Sequence, residues 1–220
     1  MTAVQIGILG GTGPAGQGLA ARLASVGLQP VIGSRSAERA AEVRDELVAA
    51  WPGRGLEIGA ADNEGAAACD LVVVATPWDG VTDTVRPLAG ALDGKVVVSM
   101  ANALQKMGRE FTALLPARGS IAANVQAAVP GALVAAAMHH LPAKELGDID
   151  HPIESDVLVC SDHPRATEAT MDLLAKLPDL RPLDAGPLSS AAPIEAFTAV
   201  MIQLNVRYKT RVAVKLTGID

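Results

Sequence analysis

Apolar residues fall along this chain in short runs separated by helical stripes. Residues 4–9 form one such run, too short for a helix and read as a buried strand. Residues 14–26 place Leu19, Leu23 and Val26 on one face, with Pro14 at the start and Gly27 just past the end, so they predict a helix. The alternation continues with strands at 30–33, 56–58, 71–75 and 96–99. Helices are predicted at 36–51, closed by Pro52-Gly53, and at 79–92. Strands alternating with helices predict an α/β fold, a Rossmann-type doubly wound parallel sheet covered on both faces.

Beyond Met100 the pattern loosens. A helix is expected at 120–129, a strand at 132–138 entering His139-His140, a strand at 156–160, a helix at 164–177 and a strand at 180–183. Ser190 then precedes a long helix through about residue 216, with Phe197, Val200, Met201, Leu204 and Tyr208 as its apolar face. Such a helix is about 27 residues and roughly 40 Å long, more than a small domain buries alone. A homodimer with this helix at the interface is therefore expected. The organisation predicted is a nucleotide-binding domain over 1–141 and a small C-terminal α/β domain over 142–220.

Composition narrows the function. Half of the 220 residues are hydrophobic but only five are aromatic, so the core is aliphatic. With 18 basic and 24 acidic residues the net charge is -6, which argues against a nucleic-acid partner or an anionic membrane. The uncharged stretch 119–143 is interrupted by Asn124, Gln126, Pro130-Gly131 and His139-His140, so it reads as a buried helix, turn and strand rather than a membrane span. Cys69 and Cys160 lie in apolar runs and cannot build a disulfide framework. The first residues show no basic, cleavable leader, and a cytoplasmic location is expected.

The strongest local signal is Gly11-Thr12-Gly13-Pro14-Ala15-Gly16, which follows a strand and opens a helix. The first glycine suits a tight turn, the second lets backbone approach a pyrophosphate, and the third lets the helix pack near the strand. The helix N-terminus then offers free N–H groups to phosphate. At the end of the second strand, where a site for NAD usually carries an acid, stand Gly33-Ser34-Arg35, with Arg39 one turn beyond. A hydroxyl and two guanidinium groups suit a 2′-phosphate, which favours NADP(H) over NAD. Ala75-Thr76-Pro77-Trp78 ends the fourth strand on the ligand side of such a sheet, and Trp78 either lies against the dinucleotide or only packs. His139 and His140 follow a strand at its carboxyl end and are the acid–base candidates. Strand alternation would let at most one of them reach the site. No metal-ligand spacing and no GxSxG elbow occurs. Two readings stay open on these residues: reduction of a small carbonyl or imine with His139 as proton donor, and non-catalytic sensing of NADP.

Taken together, several segments resemble the coenzyme F420-dependent NADP reductases. They are Ile8-Leu9-Gly10-Gly11-Thr12-Gly13, Gly33-Ser34-Arg35, Thr76-Pro77-Trp78, His139 with Pro142-Ala143, and the run 180–188, Leu-Arg-Pro-Leu-Asp-Ala-Gly-Pro-Leu. The resemblance covers essentially the whole chain in order. It implies hydride transfer between NADP(H) and the deazaflavin coenzyme F420. By position it places Thr12, Gly13, Pro14 and Ala15 on the pyrophosphate and Ser34, Arg35 and Arg39 on the 2′-phosphate. Trp78, Thr82, Leu104, Ala143 and Val212 would line the rest. The chain departs from the family pattern at Pro14-Ala15, Arg39, Met100-Ala101-Asn102-Ala103 and His140. Transfer between two stacked rings needs alignment and exclusion of water rather than a nucleophile, so His139 is expected to orient or stabilise charge.

Overall fold

The computed structural model describes residues 4–108 and 110–219. The chain begins with β1 (Gln5–Leu9), α1 (Pro14–Ser25), β2 (Gln29–Ser34), α2 (Ala37–Ala50), β3 (Gly59–Asp62) and α3 (Asn63–Ala67). It continues with β4 (Leu71–Val74), α4 (Val81–Val85), α5 (Ala89–Leu92) and β5 (Val96–Ser99). A hairpin of β6 (Leu104–Met107) and β7 (Glu110–Ala113) follows, then α6 (Ile121–Ala128) and β8 (Leu133–Ala136). The last elements are α7 (Ala143–Gly147), β9 (Ser155–Ser161), α8 (Pro164–Leu174), β10 (Leu180–Asp184) and α9 (Ala191–Tyr208).

Eight strands form one sheet in the order β10-β9-β8-β5-β4-β1-β2-β3. All neighbours run parallel except β8 and β9, which pair antiparallel. The order reverses between β1 and β4, and the crevice beyond their carboxyl ends is where such sheets bind ligands. The predicted doubly wound sheet is thus observed. Residues 142–219 add β9 and β10 to this same sheet.

The aliphatic composition explains how both faces are covered. Along β4 the side chains alternate, as a strand requires. Leu71 and Val73 face a cluster with Ile6, Ile8, Leu19 and Leu174. Val72 and Val74 face the opposite cluster with Val85, Leu92, Ile121 and Val125. Close approach is bought with small residues. A Cβ on Gly7 would lie 1.9 Å from the carbonyl oxygen of Ala66, so α3 packs directly on β1.

Several elements differ from expectation for local reasons. The third strand lies at Gly59–Asp62 rather than 56–58, and Leu56 and Ile58 lead into it as buried side chains. The helix expected at 79–92 is broken into α4, a 3-10 turn at Arg86–Leu88 and α5, because Pro87 has no N–H to continue the ladder. The β6–β7 hairpin was not foreseen at all.

The largest correction concerns the terminal helix. It ends at Tyr208, where Lys209 adopts the left-handed conformation (φ 51°). The tail beyond it returns to the sheet. The Asp156 N–H donates to Val214 O (2.8 Å), and Leu216 N–H donates to the Asp156 carboxylate (2.5 Å). Arg181 forks onto that carboxylate (2.9 and 2.8 Å) and donates to the carbonyls of Leu216 and Ile219. These bonds tie the tail to β9 and β10. The expected apolar face holds only in part: Met201 is buried and Leu204 half-buried. Phe197, Val200 and Tyr208 are exposed, while Ala191, Glu195, Thr198, Ala199 and Met201 face inward.

Candidate active site

Two joined depressions occupy the crevice between the carboxyl ends of β1 and β4. One, of about 910 Å³, runs past Thr12, Gly13, Ser34, Arg35 and Arg39. The other, of about 440 Å³, is walled by Pro14, Ala15, Trp78, Leu104, His139 and Ala143, among others. Gly13, Thr76 and Pro77 belong to both and mark the junction.

The first depression is built by the glycine turn. The left-handed residue is Gly10 (φ 74°), one before the motif, and a Cβ there would strike Thr76 at 2.7–2.9 Å. Gly11 is required for a different reason: its Cβ would meet Ile8 O at 2.9 Å and Ile32 at 3.0 Å. Gly16 lets α1 touch the turn, with Gly11 Cα 2.6 Å from its missing Cβ. At Gly13, by contrast, the only atom of the described residues near the missing Cβ, chain neighbours aside, is Gly10 O, at 3.4 Å. Gly13 also caps α1 without a side chain, and Pro14 occupies the first turn. The first-turn N–H groups of α1 are therefore uncovered, as a bound phosphate requires. The glycine turn fits the pyrophosphate of a dinucleotide.

Ser34 is buried at the end of β2, and Arg35 follows in the turn before Ser36, which caps α2 by accepting from Arg39 N–H (3.2 Å). Arg35 is therefore not on the helix with Arg39, as the i, i+4 spacing implied. Both nevertheless line the same depression, and Arg39 also pairs with Glu42 at 3.0 Å. Asp62, Asn63, Asp79 and Asp83 complete the rim. Thr82 sits on α4, where its neighbours Gly80, Asp83 and Thr84 form the wall in its place.

The second depression draws on distant segments. Trp78 stands at its mouth, 38% exposed. Leu104 begins β6 and Ala143 begins α7; both line the wall. Val212 lies in the tail, where its N–H donates to Asn205 Oδ1 (2.7 Å), and it is Asn205 that faces the depression. Helix α9 adds Thr198, Met201 and Ile202.

Both histidines line this chamber, against the expectation from strand alternation. The reason is Met138, which has φ 65° just after β8 and ends the alternation before His139. Their rings differ in partners. His140 Nε2 contacts Asp156 O at 2.8 Å. Neither ring nitrogen of His139 has a hydrogen-bond partner among the described residues. The His139 carbonyl accepts from Asn102 (2.8 Å) and Thr198 (3.4 Å), which fixes the backbone and leaves the ring free. Burial, and then the neighbouring His140, pull the His139 imidazole down to about 3, so it is neutral at pH 7. A neutral ring donates one hydrogen bond and accepts another.

Sequence reasoning missed Asn63, and gave no individual role to Gly10 and Thr76 although both stand in segments it singled out. Asn63 Oδ1 and Thr76 Oγ1 are buried along the cleft without a partner among the described residues. The pair Gly10-Gly11 was a legible signal for the turn, whereas nothing in the spacing pointed to Asn63. Among the described residues no cluster of three or more metal-ligating side chains occurs, and no helix is long and apolar enough to cross a membrane. Cys69 and Cys160 are free and buried.

Comparison with known proteins agrees with this geometry. Residues 5–103 match the family described as NADP oxidoreductase, coenzyme F420-dependent. The F420-dependent NADP reductase of Methanocaldococcus jannaschii is 34% identical over 99% of this chain and 100% of its own length. That of Methanothermobacter marburgensis is 31% identical over 98% of this chain and 99% of its own. The crystal structure of a putative F420-dependent NADP reductase from Arthrobacter sp. FB24 superposes with a TM-score of 0.83, covering 98% of this chain and 100% of that one at 24% identity, which supports the fold. On the strength of full-length relatives above 30% identity, the chain belongs to the F420-dependent NADP reductase family.

Proposed function

We propose that this protein is an oxidoreductase that transfers hydride between NADP(H) and coenzyme F420: NADPH, oxidised F420 and a proton give NADP and reduced F420. The observation that carries this reading is a two-part cleft in a chain related along its full length to F420-dependent NADP reductases. The nicotinamide supplies the hydride, and the deazaflavin accepts it at its central ring carbon. The chain's own contribution is to hold and enclose. The uncapped start of α1 binds the pyrophosphate, and Ser34, Arg35 and Arg39 bind the 2′-phosphate. Ala15, Trp78, Leu104 and Ala143 keep water from the reacting faces, which raises the effective concentration of the two rings. In this reading residues 1–141 carry the dinucleotide and 142–220 complete the deazaflavin side. The two free thiols suit a reducing cytoplasm.

The exposed side chains Phe197, Val200 and Tyr208 on α9 support a homodimer. A monomeric mass by light scattering at micromolar concentration would remove it. The reaction itself is tested by mixing the protein with NADPH and oxidised F420. Loss of the deazaflavin absorbance is expected, and its absence, with a cyclic imine reduced instead, would replace this reading.

A further inference from the structure

Arg22 lies near the end of α1, two turns beyond the glycine turn, and is only 3% exposed. Burial of a guanidinium has a cost, and Arg22 meets it with backbone carbonyls of a single stretch. Its Nε donates to Leu146 O (3.2 Å), Nη1 to His151 O (2.8 Å), and Nη2 to Glu145 O (2.6 Å) and Asp148 O (2.5 Å). The acceptors at 145 and 146 lie in the last turn of α7; Glu145 O also accepts from the capping Asp148 N–H (3.2 Å). One turn earlier on the same face of α1 stands Gly18. A Cβ there would lie 2.7 Å from Ala143 O and 2.9 Å from Gly147 N, so α1 and α7 meet backbone to backbone.

The consequence is geometric. One end of α1 presents N–H groups to the pyrophosphate, while Gly18 and Arg22 grip a segment whose leading residues, Leu141, Pro142 and Ala143, wall the second depression. Helix α7 has five residues and would not hold its shape alone. We propose that Arg22 is a positioning residue for hydride transfer: by gripping α7 it sets where the 141–143 wall stands relative to the phosphate site, and so how the nicotinamide lies. This rests on the proposed NADP(H) function and deepens it. Glu145 extends the same grip to the C-terminal tail through Arg211 at 3.0 Å.

The test separates the two halves of the dinucleotide. Arg22→Lys, Arg22→Met and Gly18→Ala are compared with the unmodified protein for affinity toward NADPH, affinity toward 2′,5′-ADP, which carries only the adenosine half, and kcat with F420. Displacement of the wall by about 1 Å is expected to lower kcat by about 100-fold. NADPH affinity should fall by about tenfold and 2′,5′-ADP affinity by less than about twofold. The lysine variant should lie between the methionine variant and the native protein. If Arg22→Met does not fold, Gly18→Ala displaces the same segment with the guanidinium intact. Parallel loss of both ligands, or unchanged kcat and NADPH affinity in folded variants, would overturn the assignment. Absence of F420 turnover in the native protein would remove the F420 reading only, because the two-ligand comparison still judges Arg22.

Discussion

The two ends of the cleft are built by different means. The phosphate end of the proposed site centres on two short, local pieces, 10–16 and 34–39, rimmed by 62–64 and 76–88, and in that proposal backbone N–H groups and exposed guanidiniums hold the phosphates. The hydride end is assembled from segments near residues 15, 78, 104, 139–143 and 198–205, and its walls are mostly apolar. Backbone geometry and charge are encoded locally, because a glycine or an arginine acts where it stands. An apolar chamber is a product of packing, and no single segment specifies it. The phosphate end should therefore respond sharply to single changes, and the hydride end in smaller steps.

The largest effect is expected at Gly13. Its extended backbone (φ -79°, ψ 164°) suits a β-branched residue, and protein atoms leave the Cβ direction open. Gly13→Val should thus fold normally and fill the phosphate space instead. We expect NADPH affinity to fall by about 100-fold or more, with a melting temperature within a few degrees of native. Comparable loss of stability would show that Gly13 serves the fold, and would blur the distinction between the two ends.

A buried carboxylate behind the hydride end gives the next effect, on stability. Glu195 of α9 is 4% exposed and accepts from the N–H groups of Ile121 (2.7 Å) and Ala122 (3.1 Å) at the start of α6. Burial pushes its carboxyl up to about 7 from 4.5, against the pull of those two donors. A folded-state value above the unfolded one means that the stabilising contribution is complete below pH 4.5 and is lost as pH rises through 7. The loss is on the order of 3 kcal/mol. Thermal unfolding of native protein and Glu195→Gln at pH 5 and pH 8 should show a smaller pH dependence in the variant. Equal dependence in both would mean that another group is responsible.

Arg35 sharpens the comparison from the phosphate side. An arginine–phosphate contact contributes roughly 1.5–3 kcal/mol, so Arg35→Ala should weaken NADPH by about 10- to 100-fold and leave NADH nearly unchanged. The same loss for both nucleotides in a binding titration would make Arg35 structural.

The same division governs what the sequence made legible. Strand and helix alternation through residue 99 follows from apolar periodicity, and the phosphate turn from its glycines. The hairpin β6–β7 escaped because its strands are largely exposed; Met107 is 61% accessible, so no buried face marks it. The tail after Tyr208 escaped because its basic, periodic sequence is compatible with a helix. Distant partners, Asp156 and Arg181 among them, pull it back to the sheet. The histidines were placed on opposite faces because alternation was assumed to continue, and the left-handed Met138 is invisible in a residue-type pattern. The tail and the histidines were misread where a long-range partner or an unusual dihedral overrides a local rule, and the hairpin where no buried face exists to be read.

The smallest effect is expected at His139, the polar centre of the hydride end. Its ring is buried, neutral and without a partner among the described residues, in a chamber it shares with Trp78 and Ala143. When the deazaflavin receives hydride, negative charge develops on the pyrimidine side of its rings. A neutral imidazole N–H can stabilise that charge by one hydrogen bond without giving up its proton. An essential acid would contribute about 100- to 10,000-fold, whereas a single neutral hydrogen bond of about 1 kcal/mol contributes less than tenfold. His139→Ala should therefore retain F420 turnover, with a loss nearer tenfold than a thousandfold and with 2′,5′-ADP binding unchanged. Because burial holds the ring near 3, kcat should show no inflection belonging to His139 between pH 5 and pH 8. An inflection near 6.5 that disappears in the variant, together with near-abolition of turnover, would make His139 a proton donor. It would also place a sharply responding group at the end of the cleft expected to respond in small steps.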